Sequence, residues 1–559
     1  MIRGKFKPGV SFGDFVVTDV MSRRKLPDDS TPRDFRRGWI IWVWVVVLFG
    51  ILGVKLATLQ LFYGGRYRIL ADENRIKQIK IPALRGQITD RNGNVLARSD
   101  ISEKYDEILK LTLEKSTRGY PAGEAAAAAV GYLGQIKEDE VGLLKELDKY
   151  LPGDWIGRDG VEAVYEEDLR GEDGGRLVEV DNGGKVVREM GRKEPKVGKD
   201  LKLSLDLSLQ RTALEAMEGK KGAVVASDPR TGEILTLISS PSFDPNSFVN
   251  AQYQVSNAQY LIDPNLPLFN RAIGAVYPPG STFKMVTMAA AISEGKVNPG
   301  FTYTDTGIIS VAGFKYSNWL FTKGGGREGT IGFARALTRS TDTFFYKIGE
   351  MTTPELLAKW AKNLGLGEKT GIDLPGEVAG LIPDPEWKEK AKGEKWFLGN
   401  TFHMAIGQGD VLTTPIQINQ MTNILATGGK KCTPHLKYDQ LNKCGNVQIS
   451  EEALKLIKLG MEGACAPGGT AFPLFGFEVK TACKTGTAEY VAENGKMRTH
   501  GWLTAYAPLQ DPVISITVVV EGGGEGSNVA APVVRKMLAR YFDVTDTYNY
   551  AAIPQEIGE

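Results

Sequence analysis

The strongest constraint on this chain of 559 residues is an apolar run near its N-terminus, residues 39–63, broken only by Lys55 and Gln60. A helix rises about 1.5 Å per residue, so the run is long enough to cross a hydrocarbon layer of ~30 Å. Inside that layer each backbone N–H and C=O must bond within the segment, which leaves a helix as the available structure. We therefore predict one transmembrane helix at residues 39–63.

The flanks of the run predict its orientation. Residues 1–38 carry nine Lys/Arg and five Asp/Glu, and Arg33, Arg36 and Arg37 lie beside the run. The positive-inside rule then places the tail, residues 1–38, in the cytoplasm and everything after Gly64 outside, in a single-pass protein of the cell membrane. A cleaved signal peptide is disfavoured by the long leader and by the lack of a small-x-small cleavage site. A buried core helix is disfavoured by the Trp-rich start and the basic flank.

Composition limits the remaining possibilities. With 42% hydrophobic and 24% charged residues, the chain can form two or three domains with real cores. The net charge of +1, without a Lys/Arg tract interleaved with aromatic residues, gives no reason to expect nucleic acid as a partner. The four cysteines, which allow three pairings, are Cys432, Cys444, Cys465 and Cys483. Cys432 and Cys444 flank a short turn-rich segment, which favours that pair, and free thiols remain the alternative.

The pattern along the chain indicates two regions after the membrane. Residues 85–97 read as a strand, an Asp-Arg-Asn-Gly turn and a second strand, and glycine and charge dominate residues 157–200. We assign residues 64–200 to a β-rich pedestal. Residues 201–545 read as an α+β domain with an antiparallel sheet, and 546–559 as a tail. The elements predicted in that domain are the helices 207–217 and 531–541 and the strands 222–227, 234–238, 477–483, 501–506 and 513–520.

Ser281 and Lys284 lie three residues apart at the start of a helix-like run, so their side chains share one helix face. A serine hydroxyl becomes a good nucleophile when a neighbouring base takes its proton, and a lysine with a lowered pKa can be that base. The preceding Pro278-Pro-Gly280 sets Ser281 near a helix N-terminus, where free N–H groups and the helix dipole favour an oxyanion. The segment therefore predicts a nucleophile and its activator.

The Ser-x-x-Lys pair alone is not specific, because it recurs at Ser22/Lys25 and Ser293/Lys296. Two further elements, a Ser-x-Asn-like triplet and Lys-Thr-Gly, complete a known catalytic set. The last should lie on a strand edge, where its backbone can receive an extended substrate and its lysine can face an anion. The segment Lys484-Thr485-Gly486-Thr487 continues a strand-like stretch, whereas the copy at Lys369 lies in loop-like sequence and is rejected.

The middle element is Ser340-Thr-Asp342, which lies between the other two in sequence. The same pattern occurs at Ser204/Asp206 and Ser242/Asp244. Both copies precede Ser281, whereas the middle motif has to follow it, so we reject them.

With the three motifs in order, the chain resembles the class B penicillin-binding proteins, more narrowly their elongation-type peptidoglycan D,D-transpeptidases. The resemblance covers residues 74–541. Beyond the three motifs it is carried by Asn74-Arg75 and by the segments 85–97, 118–121, 131–134, 157–171, 406–409 and 414–417. It implies a penicillin-binding, β-lactamase-like fold for the α+β domain and a dimerisation-like pedestal.

The resemblance also implies a mechanism and partners. The enzyme would be a monofunctional serine-type D-Ala-D-Ala transpeptidase that cross-links stem peptides during cell-wall elongation and is a target of β-lactams. Its catalytic residues would be Ser281, Lys284, Ser340, Asp342 and Lys484. Its substrate-binding residues would be Thr485, Gly486 and Thr487. The implied partner is a membrane glycosyltransferase of the shape and division family. No cofactor is expected, and no metal, since residues 301–339, where some relatives bind zinc, contain neither His nor Cys.

The chain departs from the family pattern in two places. Some twenty residues separate Ala97 from Arg118, so we expect the usual head insertion of the pedestal to be absent. Cys483 stands before Lys484, where the family more often has a small residue such as glycine.

Other functions fit the sequence less well. An α/β-hydrolase would need a Gly-x-Ser-x-Gly elbow, which does not occur after the apolar run, and a β-lactamase needs neither pedestal nor anchor. A bifunctional enzyme would need a glycosyltransferase domain, for which residues 64–200 give no space and no Glu-Asp-x-x-Phe motif. A non-catalytic sensor of penicillin or stem peptides remains the alternative, and covalent labelling by penicillin would distinguish it.

Overall fold

A computed structural model describes residues 35–140, 150–249, 254–492 and 495–552. The described part of the chain forms two compact units, which divide between Lys77 and Gln78. In the first unit, helix α1 spans Phe35–Ala57, a π-helical turn follows at Thr58–Phe62, and α2 spans Gly64–Arg75. The stretch Gly38–Phe62 is long and apolar enough to cross a membrane. The predicted span is thus helical, and most of the predicted cytoplasmic tail, residues 1–34, lies outside the described residues.

The pedestal is built mainly from short antiparallel strands. Its strands are β1 (Ile76–Ile81), β2 (Ile88–Thr89), β3 (Val95–Asp106), β4 (Leu111–Gly119), β5 (Leu133–Gln135), β6 (Trp155–Gly157), β7 (Gly174–Val180) and β8 (Val186–Lys193). Its short helices are α3 (Ala127–Val130), α4 (Gly160–Val164) and α5 (Glu166–Leu169), after a 3₁₀ turn at Gly123–Ala125. A later strand, β9 (Leu201–Lys202), completes a sheet of order β4-β3-β2-β9, while β1, β7 and β8 form another.

The predicted hairpin at residues 85–97 is confirmed by the pairing of β2 with β3. Asp90 closes its turn, because Oδ1 of Asp90 accepts hydrogen bonds from the backbone N–H groups of Asn92 and Asn94. Strand β3 then continues and pairs with β4 from Arg98 opposite Gly119 onward. The short segment between Ala97 and Arg118 therefore forms a β-hairpin.

A buried ion cluster links three parts of the pedestal. The carboxylate of Glu162, fully buried on α4, lies 2.6 Å from Nε of Arg85 and 2.8 Å from Nε of Arg118. A second guanidinium nitrogen of Arg85 lies 2.7 Å from Glu166. Burial alone would raise the pKa of Glu162, but the charges of Arg85 and Arg118 outweigh it and hold that pKa below its usual value.

The C-terminal domain contains the remaining elements. Its strands are β10 (Gly222–Ser227), β11 (Ile234–Ser240), β12 (Thr302–Asp305), β13 (Ile308–Val311), β14 (Phe314–Ser317), β15 (Gly329–Gly332), β16 (Lys430–Cys432), β17 (Cys444–Asn446), β18 (Ala482–Val491), β19 (Met497–Ala507) and β20 (Ile514–Val520). Its helices are α6 (Leu207–Met217), α7 (Asn246–Val249), α8 (Gln254–Ile262), α9 (Arg271–Gly274), α10 (Lys284–Ser293), α11 (Trp319–Gly324), α12 (Phe333–Arg339), α13 (Asp342–Thr352), α14 (Pro354–Asn363), α15 (Pro385–Lys392), α16 (Leu398–Ala405), α17 (Pro415–Ala426), α18 (Glu451–Ala464), α19 (Gly526–Val529) and α20 (Ala531–Phe542). Its 3₁₀ turns are Gly280–Phe283, Phe472–Leu474 and Tyr550–Ala552.

Five strands form the central antiparallel sheet, in the order β11-β10-β20-β19-β18. One face packs against α6 and α20, and the other packs against a larger core that includes α10 and α17. Strand β18 therefore lies at the sheet edge, where its outer side has no neighbouring strand in this sheet. The α+β class and the antiparallel sheet are confirmed.

One predicted strand, residues 477–483, is wrong over most of its length. Strand β18 begins at Ala482, which pairs with Tyr506 of β19. Because β19 ends at Ala507, residues 477–480 have no strand beside which to form a ladder. They form a bend instead, and the next residue, Thr481, donates from its Oγ1 to the carbonyl oxygen of Val479.

Candidate active site

Ser281 lies in the 3₁₀ turn Gly280–Phe283, which leads directly into α10, so it occupies the first turn of a helix and is half-buried. Gly280 has φ +54°, and a Cβ there would lie 2.8 Å from the carbonyl oxygen of Thr487. Its N–H donates to the carbonyl oxygen of Gly407 at 2.9 Å. The backbone before Ser281 is thus held between strand β18 and the Gly407 turn.

Lys284 begins α10 and is fully buried. Its Nζ donates to the carbonyl oxygen of Ser340 at 2.8 Å, to Oγ of Ser340 at 3.1 Å and to Oδ1 of Asp342 at 2.7 Å. The second carboxylate oxygen of Asp342 accepts from the backbone N–H of Trp319 at 3.1 Å. The structure therefore places Asp342, a predicted site residue, in direct contact with the lysine base.

Ser340 follows α12 in the left-handed region, with φ +57°, and is 6% exposed. Its Oγ accepts from Nζ of Lys284 at 3.1 Å and from Nζ of Lys484 at 3.0 Å. A hydroxyl has two acceptor lone pairs and one proton. When both lysines donate to it, Ser340 keeps its own proton available for a third group.

Lys484 lies on the edge strand β18 and is fully buried. Its Nζ also donates to the carbonyl oxygen of Thr485 at 2.8 Å. Thr485 is buried, and its Oγ1 lies 2.7 Å from Oγ1 of Thr470. Gly486 allows close packing, since a Cβ there would lie 3.0 Å from the carbonyl oxygen of Pro279. The third motif is therefore packed directly against the turn that carries Ser281.

Two lysines and one carboxylate share this buried site. Burial lowers the pKa of Lys284, although the charge and hydrogen bond of Asp342 oppose that shift. Burial and then the charge of Lys284 hold the pKa of Lys484 well below its ordinary value, and Asp342 again opposes. Both shifts favour a neutral amine, which is the form that can accept a proton.

Three rejected copies of the motifs lie outside the active site, where they make other contacts. In the Lys369 copy, the N–H and the hydroxyl of Thr370 both donate to Oε1 of Glu377, which closes a loop. The hydroxyl of Ser204 donates to the carbonyl oxygen of Ile234, and that of Ser242 to the carbonyl oxygen of Glu124.

The structure brings together Ser281, Lys284, Ser340, Asp342, Lys484, Thr485, Gly486 and Thr487. In the part of the chain that the structure describes, no cluster of His, Cys, Asp or Glu could hold a metal ion.

Sequence reasoning missed several residues that support the site. Trp319 holds Asp342 through its backbone N–H, and its Nε1 donates to the carbonyl oxygen of Arg339 at 2.9 Å. Nε2 of Gln408 donates to the carbonyl oxygen of Thr487 at 3.3 Å. Gln408 lies in the segment 406–409, which carried part of the resemblance, so its family match was an available signal. Trp319 carried no such signal.

Both disulfides lie in the C-terminal domain. Cys432 and Cys444 are bonded, as the turn-rich segment between them predicted, and join the short strands β16 and β17. Cys465 and Cys483 are also bonded, so the alternative of free thiols is wrong. Cys483, which directly precedes Lys484, therefore belongs to a disulfide next to the third motif.

Comparison with known proteins agrees with the geometry. Residues 222–539 match the penicillin binding protein transpeptidase domain, and residues 100–203 match the penicillin-binding protein dimerisation domain. The peptidoglycan D,D-transpeptidase MrdA of Acinetobacter baumannii is 32% identical over 583 residues, covering 87% of this chain and 84% of that protein.

Two solved structures share the fold. The penicillin-binding protein PBP2 of Helicobacter pylori, in a complex with MreC, has a TM-score of 0.73 at 28% identity, covering 84% of this chain and 99% of the other. A chain of a peptidoglycan synthase complex that coordinates polymerization and crosslinking has a TM-score of 0.74 at 31% identity, covering 92% and 99%.

The fold and the three converging motifs define a serine acyl-transfer enzyme. The chain belongs to the penicillin-binding protein family, with both its transpeptidase and its dimerisation domains. The similarity to elongation-type relatives that the sequence predicted is confirmed.

Proposed function

We propose that the chain is a peptidoglycan D,D-transpeptidase that cross-links stem peptides through an acyl-enzyme on Ser281. The observation that carries the proposal is the hydroxyl of Ser340, which Lys284 and Lys484 share at 3.1 and 3.0 Å beside the Ser281 turn. The turn that carries the nucleophile thus lies beside a buried amine base, a hydroxyl relay and a second amine, which is the set that amide acyl transfer needs.

In the first step Lys284, as the neutral amine, takes the proton of Ser281, and Oγ of Ser281 attacks the penultimate D-Ala carbonyl carbon. The oxyanion would be stabilised by the backbone N–H groups of Ser281 and Thr487, a device worth roughly 3 kcal/mol per donor. The proton then passes from Lys284 through Ser340 to the leaving nitrogen, and the terminal D-Ala departs. Ser340 suits this relay because it accepts from Lys284 while its own proton can be donated.

In the second step an amine of a neighbouring stem peptide attacks the acyl-enzyme carbonyl. The same groups act in reverse: Ser340 and Lys284 remove a proton from the amine, and Ser281 leaves as the alcohol. Lys484, with the hydroxyls of Thr485 and Thr487, would hold the terminal carboxylate of the donor. Strand β18 supports this role because it is the sheet edge, where an extended peptide can add as a further strand.

The membrane placement is part of the proposal. We propose that the N-terminus lies in the cytoplasm and the transpeptidase domain outside, in keeping with the basic flank of the apolar helix. A fluorescent protein that folds only in the cytoplasm, fused ahead of residue 1, should then fluoresce, and a dark but expressed fusion would contradict the orientation. The partner we propose is a membrane glycosyltransferase of the shape and division family, since a related chain belongs to a peptidoglycan synthase complex.

Mass spectrometry of the intact protein after benzylpenicillin treatment tests the catalytic assignment. The wild-type chain should gain the mass of one penicillin, located on the peptide that contains Ser281. Ser281→Ala should remain folded and gain no mass. An adduct that persists in Ser281→Ala would refute the nucleophile, and a wild-type protein that is never acylated would favour a non-covalent sensor.

A further inference from the structure

A short loop after α18, residues 465–470, contacts both neighbours of Lys484 on strand β18. We name it the bridging loop. At its start, Cys465 is disulfide-bonded to Cys483. At its end, Oγ1 of Thr470 lies 2.7 Å from Oγ1 of Thr485. Cys483 directly precedes Lys484 and Thr485 directly follows it, so the loop holds the strand on both sides of this lysine.

The same loop contacts the second motif. Arg339 directly precedes Ser340, and its Nη1 donates to the carbonyl oxygens of Gly468 at 3.1 Å and Gly469 at 3.5 Å. Nε of Arg339 is fixed from another side by Glu328, 2.7 Å away. The bridging loop therefore connects the residue before Ser340 with the residues on either side of Lys484.

The helix that leads into the loop also packs tightly beneath the second motif. A Cβ at Gly463 of α18 would lie 2.3 Å from Oγ1 of Thr338, two residues before Ser340. Oγ1 of Thr338 donates to the carbonyl oxygen of Gly460 at 3.2 Å. Helix α18 thus packs against α12 just before the loop begins, the disulfide ties the start of the loop to β18, and Thr470 ties its end to the same strand.

We propose that the bridging loop, closed by the Cys465–Cys483 disulfide, positions the third motif for acylation. It holds Nζ of Lys484 within hydrogen-bond reach of Ser340, and Thr470 orients the hydroxyl of Thr485 toward the substrate carboxylate. This inference rests on the proposed transpeptidase function. All these groups act through Lys484 and Thr485, so they are positioning residues.

The hydroxyl chemistry explains the role of Thr470. Thr485 has one proton, and a bound carboxylate accepts hydrogen bonds but donates none. If Thr470 donates to Oγ1 of Thr485, the proton of Thr485 points away from Thr470 and is available for the carboxylate. The covalent link is needed because β18 is an edge strand that pairs with β19 alone in its sheet.

The first test compares Thr470→Val with Thr470→Ser. Valine keeps the volume of threonine and removes the hydroxyl, whereas serine keeps the hydroxyl. We expect Thr470→Val to lower the second-order rate constant of acylation by benzylpenicillin about tenfold, since a bond to a charged group is affected. Thr470→Ser should restore it to within about threefold of wild type. If Thr470 had only a structural role, Thr470→Val would lower the fraction of protein that is acylated at completion. The rate constant of acylation would then stay unchanged.

The second test removes each disulfide separately. Cys465 is 7% and Cys483 0% exposed, so a reductant would reach this bond slowly and substitution is the cleaner probe. Cys465→Ala/Cys483→Ala should slow acylation about tenfold or more, whereas the matched control Cys432→Ala/Cys444→Ala should stay within about twofold. If the first double variant does not fold, the Thr470 pair decides the question alone.

The outcomes separate the two proposals. A wild-type chain that is never acylated refutes the transpeptidase function itself. A wild-type chain that is acylated, together with Thr470→Val at the wild-type rate, overturns the positioning role of the bridging loop. The same holds if removal of the Cys432–Cys444 disulfide slows acylation as much as removal of the Cys465–Cys483 disulfide.

Discussion

The pedestal buries two arginines, Arg85 and Arg118, against Glu162, and Glu166 completes the cluster. The transpeptidase domain buries two lysines, Lys284 and Lys484, near the carboxylate of Asp342. In the pedestal the charges balance. In the active site two potential cations share one anion, so full protonation would leave a buried positive charge without a counterion.

The choice of cation decides what each cluster can do. A guanidinium stays protonated at any physiological pH, so the pedestal cluster can only remain charged and paired. A lysine can release its proton when it is buried, and the excess of cations in the active site favours that release. The same buried electrostatics therefore stabilises the fold in one region and prepares a base in the other.

The sharpest test of this contrast is Lys284→Met, which keeps the length of the side chain and removes the amine. Acylation by penicillin should fall about 10³-fold or more, because the base is lost. The free energy of unfolding should change much less than in a pedestal variant, since Asp342 is partly exposed and keeps its bond to Trp319. Stopped-flow acylation and thermal unfolding measure the two effects. A variant that unfolds readily would show that Lys284 is mainly a structural ion.

The complementary change is Glu162→Gln in the pedestal. Two buried guanidiniums would lose their shared carboxylate, so the free energy of unfolding should fall by about 3–5 kcal/mol. The folded fraction should be acylated at the wild-type rate. Glu189→Gln is the matched control, because its pair with Arg176 is solvent-exposed, and it should cost less than about 1 kcal/mol. Equal losses in the two variants would contradict a special role for the buried cluster.

Asp342→Asn increases the contrast between the two clusters, because it removes the one carboxylate that the two lysines of the active site share. The carboxylate of Asp342 stabilises the protonated form of Lys284 and so raises its pKa against the effect of burial. Removing that charge should lower the pKa of Lys284, and the alkaline-going rise of the acylation rate should move to lower pH by about one unit. The measurement is the acylation rate against pH for both proteins. A shift to higher pH would refute the electrostatic argument.

The smallest expected effect is the acid sensitivity of the pedestal. The pKa of Glu162 in the folded chain lies below its unfolded value of ~4.3, so its stabilisation is fully present above that value. It is lost as pH falls through the folded pKa, by at most about 1.4 kcal/mol per pH unit. The stability difference between wild type and Glu162→Gln should therefore narrow between pH 7 and pH 3. A difference that does not depend on pH would mean that the pKa of Glu162 is the same in the folded and the unfolded chain, which would contradict the prediction.

Local patterns predicted much of this structure. The bounds of α6 and β10 match the predicted ones to the residue, because periodicity, the N-cap at Asp206 and the flanking glycine act within a few positions. The eight predicted site residues lie together in the structure. They could be predicted because each belongs to a short motif, and the order of the three motifs along the chain could be checked.

The supporting contacts could not be predicted in this way, since they join residues that are distant in sequence and carry no pattern. Trp319 acts on Asp342 through a backbone N–H, which any residue type except proline could supply. The start of β18 depends on where its partner β19 ends. The Cys465–Cys483 pair could be assigned only after Cys432 and Cys444 had been paired, because these two cysteines then remained.

The two disulfides join consecutive cysteines, the first with the second and the third with the fourth, with separations of 12 and 18 residues. In the proposed orientation the chain crosses the membrane after its N-terminal anchor, so cysteines reach the oxidising side in sequence order. Each cysteine then meets its native partner before any later one has emerged, and no bond has to be reshuffled. In this order the bond beside Lys484 would be the last to close, so the third motif would be completed only after export.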